Sequence, residues 1–296
     1  MIEIKQLIKR NNIKVLNYRK SNNNIIISNS NNKYIIKREI YNKKIMDYLN
    51  SRGFNYYPDI YDYNNKYQLI KYVEDSNIPK EKKINDLINI VALLHKKTSF
   101  YKEVDEVEYK KLYEDLLNNC SYLKEYYNDL ISIIDSKVFM SPKEYLLASN
   151  ITLIFDSISY CEVQINKWYE IINSKDKTRR MRVCVIHNDL NLKNFIKDDK
   201  DYLINWDKSK IDMPIFDLYK LYLRCNNNYD FIEILRNYEK SYPLLEDELL
   251  LLYILISMPS IIKFNRNNYD TCISINKEIN KLLKTSNLIK NYKKSP

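Results

Sequence analysis

Between Val183 and Asp207 the chain reads VCVIHNDLNLKNFIKDDKDYLINWD, and the residues able to do chemistry concentrate there. The apolar run VCVI enters a polar stretch, His187 to Asn194, interrupted by Leu190 and Leu192. Phe195 to Asp207 then has the form of a hairpin: a short apolar run, turn-forming residues at Lys197 to Asp201, and a second run ending on Asp207. That arrangement brings Asp189, Asn194 and Asp207 towards one end of a small sheet. Phosphoryl transfer needs such a set. One carboxylate orients and takes the proton of an attacking hydroxyl, while an amide oxygen and a second carboxylate hold Mg²⁺ against nucleotide phosphates.

The elements needed to position this set can be read on both sides of it. Ile2 to Arg10 has the spacing of a short amphipathic helix. Ile13 to Tyr18, Asn24 to Ser28 and Lys33 to Arg38 follow as three strands joined by Asn/Ser-rich turns, which asparagine permits because it tolerates positive φ. Tyr41 to Leu49 is a helix stopping near Gly53, the one glycine of the chain. Two further strands are expected at Pro58 to Tyr61 and Lys66 to Val73. Leu87, Ile90, Val91 and Leu94 then mark a helix ending at Leu94-His95. Beyond it the spacing predicts long helices over Glu103 to Asp135 and Pro142 to Ile172, and helices at Asp217 to Cys225, Phe231 to Glu239, Leu244 to Ser257 and Asn267 to Ile289. Lys175 to Arg182 is a basic linker and Asn291 to Pro296 a solvated tail. The fold class is therefore α+β, with a small sheet lobe over residues 1–74 and a larger, mainly helical lobe over residues 75–296.

The order H-x-D-x-x-x-x-N, then Ile204-Asn205-Trp206-Asp207, then Met213-Pro214-Ile215-Phe216-Asp217-Leu218 resembles the aminoglycoside/choline-kinase-like phosphotransferases. Those proteins write H-G-D-x-x-x-x-N, then I-D-W or I-D-F-D, then a proline and D-L. The Asp207–Pro214–Asp217 spacing is most similar to their spore-coat-associated (CotS-like) branch. No D-F-G or A-P-E follows, which disfavours a protein kinase. The resemblance is specific over residues 183 to 218 and extends to the rest of the chain in layout. It implies a protein-kinase-like two-lobe fold with ATP and Mg²⁺ as cofactors. It makes Asp189 the catalytic carboxylate, Asn194 and Asp207 the metal ligands, and His187 and Asp217 supports of the loop. Tyr34-Ile35-Ile36-Lys37 resembles the strand that supplies the kinase lysine, so Lys37 would meet the α/β-phosphates. Gln68 to Glu74 resembles the adenine-binding hinge, which places Tyr72 at the nucleotide.

Two departures stand beside the resemblance. No glycine-rich loop lies between the first two strands, so Ser21 to Asn24 must present the backbone N–H groups to phosphate. No helix glutamate is available to pair with Lys37: Glu39, two residues beyond it, is the only glutamate between Lys37 and Glu74. The implied activity is transfer of a phosphoryl group to a hydroxyl of a small molecule whose identity the sequence does not name. The alternative is a catalytically silent kinase-like protein serving as a spore-coat or interaction component.

Composition narrows the setting. In 296 residues the formal net charge is +10, but Lys and Asp/Glu are interspersed and no compact basic motif stands out, so no nucleic-acid partner is expected. The five cysteines are widely spaced and never C-x-x-C, which suits reduced thiols in the cytoplasm. The N-terminus has no apolar segment of signal-peptide length, and the run Leu249 to Met258 is too short to cross a bilayer.

Overall fold

The computed structural model describes residues 2–292 apart from 22, 23, 31, 40, 77, 175–179, 227, 265 and 266. Contacts divide the chain into two compact units. The first comprises Met1–Phe100, Val183–Leu221 and Ile234–Pro243, and the second Tyr101–Arg182, Tyr222–Glu233 and Leu244–Pro296.

In the first unit, α1 (Ile2–Arg10) lies at the start, and five strands form one antiparallel sheet: β1 (Asn17–Ser21), β2 (Asn24–Ser28), β3 (Lys33–Lys37), β4 (Ile60–Tyr63) and β5 (Gln68–Lys71), in the order β1-β2-β3-β5-β4. Ile27, Tyr34, Ile36 and Leu69 make its buried core, and Ile4 and Ile8 of α1 pack on it. Alternation along β3 sends Tyr34 and Ile36 into that core and turns Lys37 to the opposite face, where it is nevertheless only 6% exposed. β1 falls later than the apolar pattern places it. Val15 and Leu16 stay exposed, and the polar segment NYRKS forms the strand because Asn17 to Ser21 pair residue by residue with Ser28 to Asn24. Register, rather than hydrophobicity, sets this edge.

Between β3 and β4 lies α2 (Lys43–Ser51), capped by the Asn42 side chain and ended by Gly53 at φ 66°. α3 (Lys80–Thr98) buries Leu87, Ile90, Val91 and Leu94 along one side. After β6 (Phe100–Glu103), the second unit is helical. It contains α4 (Glu106–Asp135), α5 (Pro142–Ala148), α6 (Ile151–Ser174), α9 (Glu246–Ser257) and α10 (Asn268–Tyr292). The single helix expected over Pro142 to Ile172 is two. Asn150 Nδ2 donates to the Leu146 carbonyl, and Ser149 Oγ to the Tyr145 carbonyl, so side chains take up acceptors at the break. Among the described residues no helix is long and apolar enough to cross a membrane. Most of the basic linker, residues 175–179, and most of the tail lie outside the described residues.

The chain re-enters the first unit at Val183, within β7 (Arg180–Ile186), and continues through a single 3₁₀ turn (Leu192–Asn194), the hairpin β8 (Phe195–Lys197) and β9 (Asp201–Leu203), and β10 (Lys210–Asp212) into α7 (Ile215–Cys225), which leaves that unit after Leu221; α8 (Phe231–Glu239) follows. The second hairpin strand stops at Leu203. Ile204 to Asp207 leave the ladder because Asn205 adopts φ 66°. β10, absent from the pattern reading, pairs with β7 through Lys210–Ile186 and Asp212–Cys184.

Candidate active site

The loop between β7 and β8 is organised from beneath by Asp217 in the first turn of α7. Its buried carboxylate accepts the backbone N–H groups of His187 and Asn188, each at 2.7 Å, and faces His95 Nε2 at 3.2 Å. His95 itself is fully buried, with Nδ1 2.6 Å from the Tyr238 hydroxyl. His187 is also fully buried. Its Nε2–H donates to the Ile204 carbonyl at 2.9 Å, and its ring meets Trp206 edge-on at 4.9 Å. Burial holds the His187 pKa below its ordinary value of 6.5, against the raising pull of Asp217, Asp189 and Asp207. A neutral imidazole bound to a carbonyl is a brace that leaves no proton free for transfer.

Asn188 takes φ 64°, the place where the similar phosphotransferases write glycine. Its amide donates to the Lys208 carbonyl at 2.8 Å, and its own oxygens receive Lys220 Nζ. Asn191 caps the 3₁₀ turn: its Oδ1 accepts from Lys193 N and Asn194 N, and its Nδ2 donates to the Asp189 carbonyl at 3.0 Å. The Asp189 carbonyl also takes Asn194 Nδ2 at 2.8 Å. With its backbone fixed in this way, half-buried Asp189 pairs its carboxylate with Lys208 Nζ at 3.2 Å.

Lys37 enters the site from β3. Its Nζ donates to Asn205 Oδ1 at 2.6 Å, and Asn205 Nδ2 donates to Asn194 Oδ1 at 2.7 Å. Burial pulls the Lys37 pKa below 10.5, opposed by Glu39 and then Asp207. Glu39 is an acidic neighbour of Lys37. It comes from the chain just past β3 rather than from α2, and its Oε1 accepts the backbone N–H of Asp207 at 3.2 Å. Burial raises its pKa, with Lys37 pulling it down. A pocket opens beside Lys37, Glu39, Met46, Ile70 and Trp206.

The structure thus brings Lys37, Asn194 and Asp189 into one hydrogen-bonded chain. Asp207 is exposed, and its backbone N–H donates to Glu39. Tyr72 lies at the exit of β5, but its N–H already donates to the Lys33 carbonyl at 3.1 Å. The hinge beyond it is laced to the β8–β9 hairpin by Ser76 N to Lys197 O at 2.7 Å and Lys197 N to Asp75 Oδ1 at 3.1 Å. Of the expected phosphate cradle, residues 22 and 23 and the Ser21 side chain lie outside the described residues. Pattern reasoning passed over Asn205, Asn191, Lys208 and Lys220. For Asn205 the signal was present, as an asparagine at the aspartate of I-D-W.

Mg²⁺ demands near-octahedral oxygen ligation, with one or two protein carboxylates beside phosphate oxygens. Here both amide oxygens at the centre, Asn194 Oδ1 and Asn205 Oδ1, already face N–H donors. Among the described residues no group of three or more His, Cys, Asp or Glu is placed to hold a metal ion. As hydrogen-bonded here the two amides are not turned to receive a divalent ion, and exposed Asp207 is the remaining expected ligand.

No family model and no curated protein matches the chain. Among solved structures it is similar to an aminoglycoside phosphotransferase from Alicyclobacillus acidocaldarius, with TM-score 0.72 and 11% identity over 98% of this chain and 96% of that one. It is also similar to a spectinomycin phosphotransferase bound to AMP, with TM-score 0.53 and 13% identity over 98% and 95% of the two chains. A complex of spectinomycin phosphotransferase with ADP and spectinomycin gives TM-score 0.52 and 12% identity over 97% and 98%. At such identities the likeness establishes the fold: a protein-kinase-like fold with a small antiparallel sheet lobe and a larger helical part.

Proposed function

We propose that this protein transfers the terminal phosphoryl group of ATP to a hydroxyl of a small molecule. The observation that carries this reading is the chain from Lys37 to Asp189: a buried ammonium at one end, side-chain amides between, and at the other end the Asp189 backbone carbonyl, which fixes the residue whose carboxylate meets Lys208. The acceptor oxygen bonds to the γ-phosphorus, the bond to the β-phosphate oxygen breaks, ADP leaves, and the hydroxyl proton passes to the Asp189 carboxylate. Lys37 meets the α/β-phosphates, and His187 and Asp217 hold the loop. Ser21 and Tyr72 would line the phosphate and base ends of the nucleotide. Asn194 and Asp207 are the residues expected to hold Mg²⁺; Asn194 Oδ1 here accepts from Asn205 Nδ2, and no step is assigned to the ion.

A catalytically silent member of the same fold is the second reading. Two observations favour it: a neutral amide, Asn205, stands beside Lys37 and Asn194, and Lys208 is bound to the Asp189 carboxylate. The enzyme would act in the cytoplasm, and a silent form would serve in a spore coat or another assembly.

The test is a thermal-shift titration with ATP, ADP and GTP, followed by a screen of hydroxylated metabolites for ADP release. A nucleotide at about 100 times its Kd should stabilise the protein by roughly 2.7 kcal/mol. Asp189→Asn should keep that stabilisation and lower turnover by about 10²–10⁴. No stabilisation by any nucleotide would refute the nucleotide site. ADP release that is unchanged in Asp189→Asn would refute the role of Asp189.

A further inference from the structure

The hydrogen-bonded chain has a direction. Lys37 Nζ donates to Asn205 Oδ1 at 2.6 Å, Asn205 Nδ2 donates to Asn194 Oδ1 at 2.7 Å, and Asn194 Nδ2 donates to the Asp189 carbonyl at 2.8 Å. An ammonium has three donors and no acceptor, and a carbonyl accepts only. Each end therefore fixes which way the two amides face. Turning Asn205 over would set its NH₂ against the Lys37 ammonium, and turning Asn194 over would set its oxygen against the Asp189 carbonyl. A cation arriving at the middle of the chain meets an NH₂ group and two amide oxygens that each already accept an N–H donor.

Positive charge is supplied instead by the protein. Lys37 stands at the inner end. At the outer end Lys208 Nζ lies 3.2 Å from Asp189 Oδ2, with its side chain 57% exposed, so that phosphate oxygens can compete for it. A charge-assisted contact to phosphate is stronger than a neutral one.

We propose that the nucleotide binds this site as the free anion, without a divalent cation, its phosphates met by Lys37 and Lys208. This rests on the nucleotide half of the function proposed above and is independent of whether transfer occurs.

The experiment is calorimetric titration of the full-length protein with ATP, in excess EDTA and again in excess magnesium. The expected result is a Kd that agrees between the two conditions within about twofold, where a metal-dependent site would change by tenfold or more. Asn205→Asp replaces the NH₂ by a second oxygen, so magnesium should now tighten binding by about tenfold or more. Lys208→Met should weaken binding in EDTA by several-fold, and Lys37→Met should weaken it under both conditions. Binding by the parent only with magnesium overturns the inference and leaves the nucleotide site standing. No binding under either condition overturns both. An Asn205→Asp variant as indifferent to magnesium as the parent also overturns it, because the direction of the amide chain is then not what excludes the metal.

Discussion

Asp217 and Asp189 belong to the same loop and have opposite surroundings. Asp217 is fully buried and accepts two backbone N–H groups, with His95 close by. Asp189 is half-buried, its backbone carbonyl held by Asn191 and Asn194 and its carboxylate shared with an exposed lysine. One side chain is spent on holding the two residues that precede the other. A carboxylate surrounded by fixed donors makes a support, whereas one facing a lysine that solvent also reaches stays available for exchange.

The sharpest way to break that comparison is to delete each carboxylate in turn. Asp217→Ala strands two backbone donors and a histidine nitrogen in the interior, and unpaired buried groups cost about 1–3 kcal/mol apiece, so a loss of about 3 kcal/mol or more is expected. Asp189→Ala removes an exposed ion pair worth under about 1 kcal/mol. Urea midpoints of the two variants beside the parent measure the difference. Equal losses would mean that Asp189 is as much a support as Asp217.

Next in size is a pH effect. His187 is buried with its Nε2–H on the Ile204 carbonyl, and burial lowers its pKa from 6.5 despite Asp217, Asp189 and Asp207 nearby. Below about 6.5 the unfolded chain takes up a proton at this residue that the folded chain refuses. The unfolded state then binds more protons, so stability is complete above about 6.5 and declines as pH falls, by up to about 1.4 kcal/mol per pH unit from this residue. The chain has only one other histidine, His95. A His187→Gln variant, which keeps an amide donor for Ile204, should show a shallower slope of urea midpoint against pH from about 6.5 downward. A slope identical to that of the parent would mean that His187 titrates freely.

The pattern of apolar residues located α1, α3 and α8 and put Lys37 on a strand, because those features depend on spacing within one element. Other features were out of reach. β1 is held by its register to β2 while its apolar neighbours Val15 and Leu16 remain exposed. The break at Ser149–Asn150 depends on two side chains turning back on their own helix. In the site itself the decisive partners are far apart in the chain. Lys37 meets Asn205 across 168 positions, and Glu39 meets Asp207 across another 168. Local pattern carries no record of such pairings, and it marked Asn205 only as an asparagine standing at the aspartate of I-D-W. The loop's three supports, His187, Asp217 and the turn at Asn191, sit within a span of about thirty residues whose order was informative.

The smallest expected effects come from the left-handed positions, and they separate an asparagine that only turns the chain from one that also bonds. Gly53 and Asn188 have nearly the same φ, 66° and 64°. A Cβ at Gly53 would meet only Lys97 Nζ at 3.6 Å, an ordinary contact, so Gly53→Ala should cost backbone strain alone, about 1 kcal/mol. Asn188→Ala adds to a similar strain the loss of the Nδ2 bond to the Lys208 carbonyl and of an acceptor for Lys220, so about 2 kcal/mol is expected. Asn188→Gly relieves the strain while losing the same bonds, and the two nearly offset, leaving a net change under about 1 kcal/mol. The order Asn188→Ala, then Gly53→Ala, then Asn188→Gly should appear in urea midpoints. If Asn188→Gly proved as costly as Asn188→Ala, the bonds to Lys208 and Lys220 would be what fixes the loop, and the left-handed backbone beside Asp189 would be their consequence.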